Sequence, residues 1–312
     1  MTATDNATAN PLDAEHPTPG AIARARRRVS RRAFVRAFAH NRSGMIGLGV
    51  LVAFALLALF APLLFPAAML DVTKAEGMPY QPPSWAFPLG TDVSGRSVLA
   101  LVVWGARVSL LVGLAATVLS MTIGTTFGIV SGHYRGVLGG VLDRLTDWFL
   151  VIPFLPLAIV LATVLGASLL NIVIVIGVTS WPATARLIRA QTLSVEGRPY
   201  LERSKALGAG NLHQMARHVL PNVMPLVLAN TTLAVSISIL SETTLSFLGL
   251  GDPSSVSWGT ILENAFQSGA VSQGAWWYIG PPGLCVVLVV LAFNLMGRSI
   301  EEILDPRADT PS

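Results

Sequence analysis

Five stretches of this chain carry no charged residue: 43–70, 108–132, 148–185, 219–241 and 264–297. An α-helix needs about 20 apolar residues to cross the hydrocarbon core of a bilayer. Four of the runs therefore hold one span each. The run 148–185 is long enough for two, with a turn available at "GASLLN", Gly166 to Asn171. Six membrane helices are expected, near 44–66, 108–132, 147–166, 171–189, 222–244 and 277–298. The fold class is thus an all-α polytopic membrane protein. A mean hydropathy of +0.61 with only 12% charged residues agrees, since soluble domains carry about 25%.

The charges test that count independently. Six spans put both termini on one side, and 18 of the 21 Lys and Arg then share it; Lys74, Arg96 and the border residue Arg107 fall opposite. The positive-inside rule places the termini and the 186–221 segment in the cytoplasm. Residues 1–20 read as a disordered tail. The stretch "SRRAFVR", Ser30 to Arg36, looks like a twin-arginine export signal. The uncharged run after it is too long for a signal peptide and more runs follow, so it reads as a basic flank. The division expected is a tail over 1–43, a first helix over 44–66, an external loop over 67–106, a core over 107–298 and a cytoplasmic end over 299–312.

No catalytic constellation is visible. Neither Lys74 nor Lys205 follows a glycine, so there is no phosphate-cradling G-x-x-x-x-G-K-[ST] loop. G-x-S-x-G, H-E-x-x-H and Cys/His clusters are missing as well, and the single Cys285 lies in an apolar run. No catalytic residue, metal ligand, cofactor or nucleic-acid partner is expected of this chain. Ser120, Gly124, Gly128 and Gly132 recur every fourth residue, a stripe for close helix packing, within the subunit or against another. Pro153, Pro156, Pro182, Pro225, Pro281 and Pro282 are expected to interrupt four spans. Broken helices are tolerated where a cavity or neighbouring helices satisfy the freed carbonyls. Glu242 is the one acid deep in an apolar stretch. With Ser246 and Phe247 it could mark a gate near the outer end of span 5, but a solvated interfacial position is the expectation for it.

The charged stretch "YLERSKALGAGNLHQMARHVLPN" between spans 4 and 5 reads as two short helices. Pro199 suits the first turn of one and Gly208 its left-handed stop. Asn211 suits the N-cap of the second, and Pro221 its end. Leu212, Met215, Ala216, Val219 and Leu220 fall on one face, with Gln214, Arg217 and His218 turned away. Helices of about ten residues are not stable alone, so lipid or a partner must pack on them.

That stretch resembles the EAA loop of ABC-importer permeases, on Glu202, Gly208, Leu220 and Pro221; Arg203 and Ser204 depart from its two alanines. "LGTDVSGRSVLALVVWGARVSLLVG" and "SETTLSFLGLGDPSSVSWGTIL" resemble the C-type permease subunit of dipeptide and oligopeptide importers, with nickel importers close relatives. Gly90, Thr91, Asp92, Gly95, Arg96, Gly105, Ala106 and Arg107 match in the first, and Asn294, Gly297, Asp305 and Pro306 at the C-terminal end. The resemblance implies a type I ABC permease fold and a place in an ATP-driven importer of di- or oligopeptides, or of nickel. Its implied partners are membrane lipid, a homologous B-type permease, an external solute-binding protein and two ATPase subunits that bind the ATP and Mg. Tyr200, Glu202, Ala206, Leu207, Gly208, Leu212, Leu220 and Pro221 are the residues it puts at the ATPase contact. The binding protein would meet the external loops, where Asp71, Glu76 and Asp92 either steer it or are solvated charges. An ion-coupled carrier is the alternative of a different class, and it would need more buried ionisable residues than these spans show.

Overall fold

A computed structural model describes residues 34–134 and 136–304 of the 312. The first 33 residues of the expected tail, with the arginine pair of "SRRAFVR", and Asp305 and Pro306 lie outside them, while residues 34–40 of that tail are helical. Among the described residues the structure is helical, with no strand; Thr91 and Ser97 form one isolated bridge.

Helix α1, Arg42–Leu64, is capped by the Asn41 side chain and exposes Leu56, Leu59 and Leu63. After a loop with two 3₁₀ turns comes α2, Val98–His133, which begins well before the expected second span. Two helices follow, α3, Val137–Val151, and α4, Phe154–Leu165, then α5, Leu169–Glu196. A short helix α6, Pro199–Ala206, leads to α7, which runs from Asn211 to Leu250 through π turns at Met215–Val219 and Ser246–Leu250. On the far side of the bundle lies α8, Trp258–Gln267, and the long α9, Trp276–Leu304, closes the chain. Among the described residues five helices are long and apolar enough to cross a membrane, and α3 with α4 makes a sixth if the bent pair counts as one span.

That pair departs from the expected third span, 147–166. Its two halves meet at 91°. Ile152, held extended at φ −74°, ψ 124° by the ring of Pro153, ends α3, and α4 restarts beyond it with Pro156 in its first turn, where no N–H is missed. The charges on α3 accompany its turn along α5. Asp143 and Asp147 share one face and pair with Arg189, at 3.2 Å, and Arg186 of α5. The other prolines do not interrupt their spans as expected: Pro182, Pro225, Pro281 and Pro282 all lie inside continuous helices.

The centre of the bundle is the seam between α2 and α5. A Cβ on Gly124 would lie 2.8 Å from Thr184 Cβ, and one on Gly128 would lie 2.7 Å from the Ala185 carbonyl oxygen. The glycines thus let the two backbones approach closely. A second cluster joins α2, α7, α8 and α9 around Trp258 and Tyr278, both fully buried.

Candidate functional site: the loop between α5 and α7

Helix α6 is built as the sequence suggests. Pro199 occupies its first turn, where its missing N–H costs nothing. Gly208 stops it at φ +83°. The Gly208 N–H reaches the Lys205 carbonyl at 3.0 Å, and the Ala209 N–H that of Ser204 at 3.1 Å. These two bonds form a Schellman motif. Nothing lies within 4 Å of where a Gly208 side chain would begin, so backbone conformation, not crowding, calls for glycine here.

The second half differs from expectation in three ways. Gly210, not Asn211, is the N-cap residue, and it makes no side-chain cap bond. Pro221 does not end the helix: α7 passes through it without a break. The π turn makes this possible. Leu220 donates to the carbonyl of Met215 across the widened turn, which gives the proline ring room it lacks in a regular helix. Thirdly, Gln214 is buried and donates to the Ala209 carbonyl at 2.5 Å, while Leu212 and Ala216 face outward.

The loop is anchored on its inner side. Leu201, Val219 and Val223 are fully buried, and the last two pack with Ile129, Ile188 and Val195 of the bundle. Beneath α6 sits a buried ionic cluster that the sequence did not reveal. Glu196, at the end of α5, accepts from His133 Nδ1 at 2.6 Å with one oxygen and from Lys205 Nζ at 2.7 Å with the other. A carboxylate only accepts, so His133 carries its proton on Nδ1. The cluster thus ties α6 to the ends of α2 and α5. Lys205 lies nine residues beyond Glu196 across a helix break at Gly197 and Arg198, and this defeats any spacing rule.

The outer side of the loop is uncovered. Leu207 is 88% and Leu212 76% exposed, and Tyr200, Glu202, Ala206, Gly208 and Pro221 are exposed with them; Leu220 is half-buried. Leu207, just past the end of α6, and Leu212, in the first turn of α7, thus leave two large apolar side chains open on the outer side of the loop.

At the opposite end of α7, Glu242 is not solvated: it is fully buried. Its two oxygens accept from Ser109 of α2 and Ser246 of α7, each at 2.9 Å. Ser109 in turn accepts the Trp258 N–H at the start of α8, at 3.2 Å. The carboxyl therefore joins α2, α7 and α8 through two hydroxyls, and these gave no signal within apolar runs. Phe247 is partly exposed, with its ring 5.7 Å from that of Phe266. In the external loop, Asp92 is also buried rather than solvated, paired with Arg96 at 2.7 Å; Asp71 and Glu76 are exposed.

Comparison with known proteins agrees with this architecture. Residues 124–310 match the family described as binding-protein-dependent transport system inner membrane component. Residues 31–83 match the N-terminal transmembrane domain of oligopeptide transport permease C. Among curated proteins, the chain is 38% identical over 281 residues to a di/tripeptide transport system permease protein of Pseudomonas aeruginosa, covering 88% of this chain and 91% of that one. It is 37% identical to a dipeptide transport system permease protein of Haemophilus influenzae, over 86% and 92%. A dipeptide permease of Alkalihalophilus pseudofirmus is 34% identical, over 86% of each chain. This multi-pass chain of the bacterial cytoplasmic membrane belongs to the family of binding-protein-dependent transport system inner membrane components.

Proposed function

We propose that this chain is the C-type permease subunit of an ATP-driven importer of di- and oligopeptides. Together with a homologous permease it forms the path across the membrane, with both termini and the 186–221 segment in the cytoplasm. Two ATPase subunits grip the loop between α5 and α7, and an external solute-binding protein delivers cargo to the segments around 71–103 and 251–274. Peptide as the cargo rests on the relatives, whose names specify dipeptides and tripeptides.

One observation carries the ATPase contact. Leu207 and Leu212 stand exposed on a loop whose inner side is locked down by Glu196, Lys205 and buried apolar residues. A surface so built passes on a push instead of absorbing it. When the ATPases close, α6 moves with them, and the ionic cluster at Glu196 carries that motion into α2 and α5. Helix α7 supplies the second route. From Asn211 at the loop to Glu242 it runs for 32 residues, about 48 Å at helical rise. A tilt begun at the loop thus reaches the hydroxyls that hold α2 and α8, and the path changes side by rigid-body motion.

The experiment compares uptake of labelled dipeptide, labelled pentapeptide and radioactive nickel in cells lacking the gene and in cells with it restored. Loss of a peptide class on deletion and its return on restoration supports the reading. Loss of nickel uptake alone moves the chain to the metal branch. Peptide uptake that withstands ATP depletion but collapses with a protonophore favours an ion-coupled carrier.

A further inference from the structure

Between α5 and α7, floored by α2, lies a cleft of about 120 Å³, room for several waters. Ser180 and Thr184 line it from α5, Asn230 and Ser238 from α7, and Ser120 from α2, with apolar side chains such as Leu233 between them; among the described residues no charged side chain lines it. Ser180 and Asn230 sit near the middle of their helices. Asn230 Nδ2 donates to Thr184 Oγ1 at 3.1 Å, and Thr117 donates to Ser238 at 3.0 Å. Ser180 Oγ is buried with no partner among the described residues. The mouth of the cleft, at Ala183 and Ile237, is exposed.

Hydroxyl and carboxamide side chains at this depth do not suit contact with lipid. Hydrocarbon offers no hydrogen bond to a hydroxyl or an amide, so polar groups in spans turn toward protein or water. The outward side of α1, with Leu56, Leu59 and Leu63, shows what a lipid-facing surface of this chain looks like. We infer that the cleft lines the aqueous route through the membrane, with Ser180 and Asn230 hydrogen-bonding the backbone amides of a peptide in transit. The choice of ligand rests on the peptide reading above. Every peptide unit carries one donor and one acceptor, whatever its side chain, and a hydroxyl or carboxamide can serve both. An uncharged lining reads the backbone and ignores side-chain charge, as passage of a whole class of peptides requires.

Cys285 is the only cysteine in the chain, so Cys285→Ala gives a cysteine-free parent. Ser180→Cys, Asn230→Cys and, as a lipid-facing control, Leu56→Cys are added to it singly in the assembled transporter. Permeabilised membranes are treated with a charged, membrane-impermeant methanethiosulfonate. The inference expects labelling at 180 and 230 at least about tenfold faster than at 56, because only a water-exposed thiol ionises and reacts. It further expects transported dipeptide, supplied with binding protein, to slow the reaction at 180 and 230. Labelling no faster than at Leu56→Cys overturns the aqueous route and means that the cleft is sealed by a partner subunit or lipid. Fast labelling that dipeptide leaves unchanged overturns the peptide contact. Ser180→Cys is nearly isosteric, so the test stands even if Asn230→Cys fails to assemble. Dipeptide uptake by the parent is measured alongside. Its absence counts against the peptide reading and leaves the water-access result valid.

Discussion

Glu196 holds Lys205 of the connecting helix at 2.7 Å with one carboxylate oxygen and His133 of the bundle at 2.6 Å with the other. The carboxylate is buried, whereas Lys205 is 45% exposed. A buried charge that loses its partner is costly, and a half-exposed one can turn to water. Glu196→Gln is therefore expected to insert and fold with a stability loss of roughly 1–3 kcal/mol and to lower peptide uptake much more than that loss alone explains. Lys205→Met leaves the buried carboxylate with His133 as its partner, so it should cost at least as much, roughly 1–3 kcal/mol, and lower uptake in the same direction. Reconstituted transporter checks this through the ratio of transport to ATP hydrolysed, which falls if the cluster transmits motion and holds steady if it only stabilises.

Gly208 separates conformation from contact. A φ of +83° costs a residue with a Cβ about 1–2 kcal/mol, and open space surrounds the site. Gly208→Ala should fold and insert with a loss of about 1 kcal/mol. If the ATPases sit on Leu207, Gly208→Asp should insert equally well and abolish uptake, because it puts a charge beside that exposed leucine. Membrane quantities by blot and uptake of labelled dipeptide read the two effects separately.

The seam between α2 and α5 predicts a sharp contrast among glycines. Gly128→Ala would bring a methyl to 2.7 Å from a backbone oxygen that cannot move aside, and overpacking of this kind costs typically 1–3 kcal/mol. Gly140 has nothing within 4 Å, so Gly140→Ala should be neutral or slightly stabilising. Thermal unfolding of the two purified variants in detergent gives the comparison directly.

Glu242 predicts a difference between two substitutions. Glu242→Gln keeps an acceptor for one of the two serines and should lower stability modestly. Glu242→Ala leaves Ser109 and Ser246 without their acceptor in a buried site and should cost about 1–3 kcal/mol. Protease sensitivity of the 251–257 segment should rise in the alanine variant, since Ser109 also receives the first N–H of α8.

The sequence shows some of this plainly and hides the rest for identifiable reasons. Span number is legible because a charge-free run must match the bilayer thickness, and Gly208 because a left-handed stop favours one residue type. The bend at Ile152 is not legible: run length says nothing of direction, and the arginines that pair with α3 lie about forty positions on. Pro221 misleads because a π turn inside α7 absorbs it. The burial of Glu242 escapes because its partners are serines, which in an apolar run are indistinguishable from packing residues. The resemblance points to the edge at Leu207 and Leu212, whereas the ionic cluster beneath it joins residues of three separate helices that no sequence spacing relates.

The most direct measurement replaces both exposed leucines, Leu207→Asp with Leu212→Asp, and purifies the transporter through a tag on this chain. If that edge is where the ATPases sit, the homologous permease copurifies as with the unaltered chain, the ATPase subunits are lost, and dipeptide uptake falls to background. ATPases retained in full, with uptake undiminished, would contradict the account.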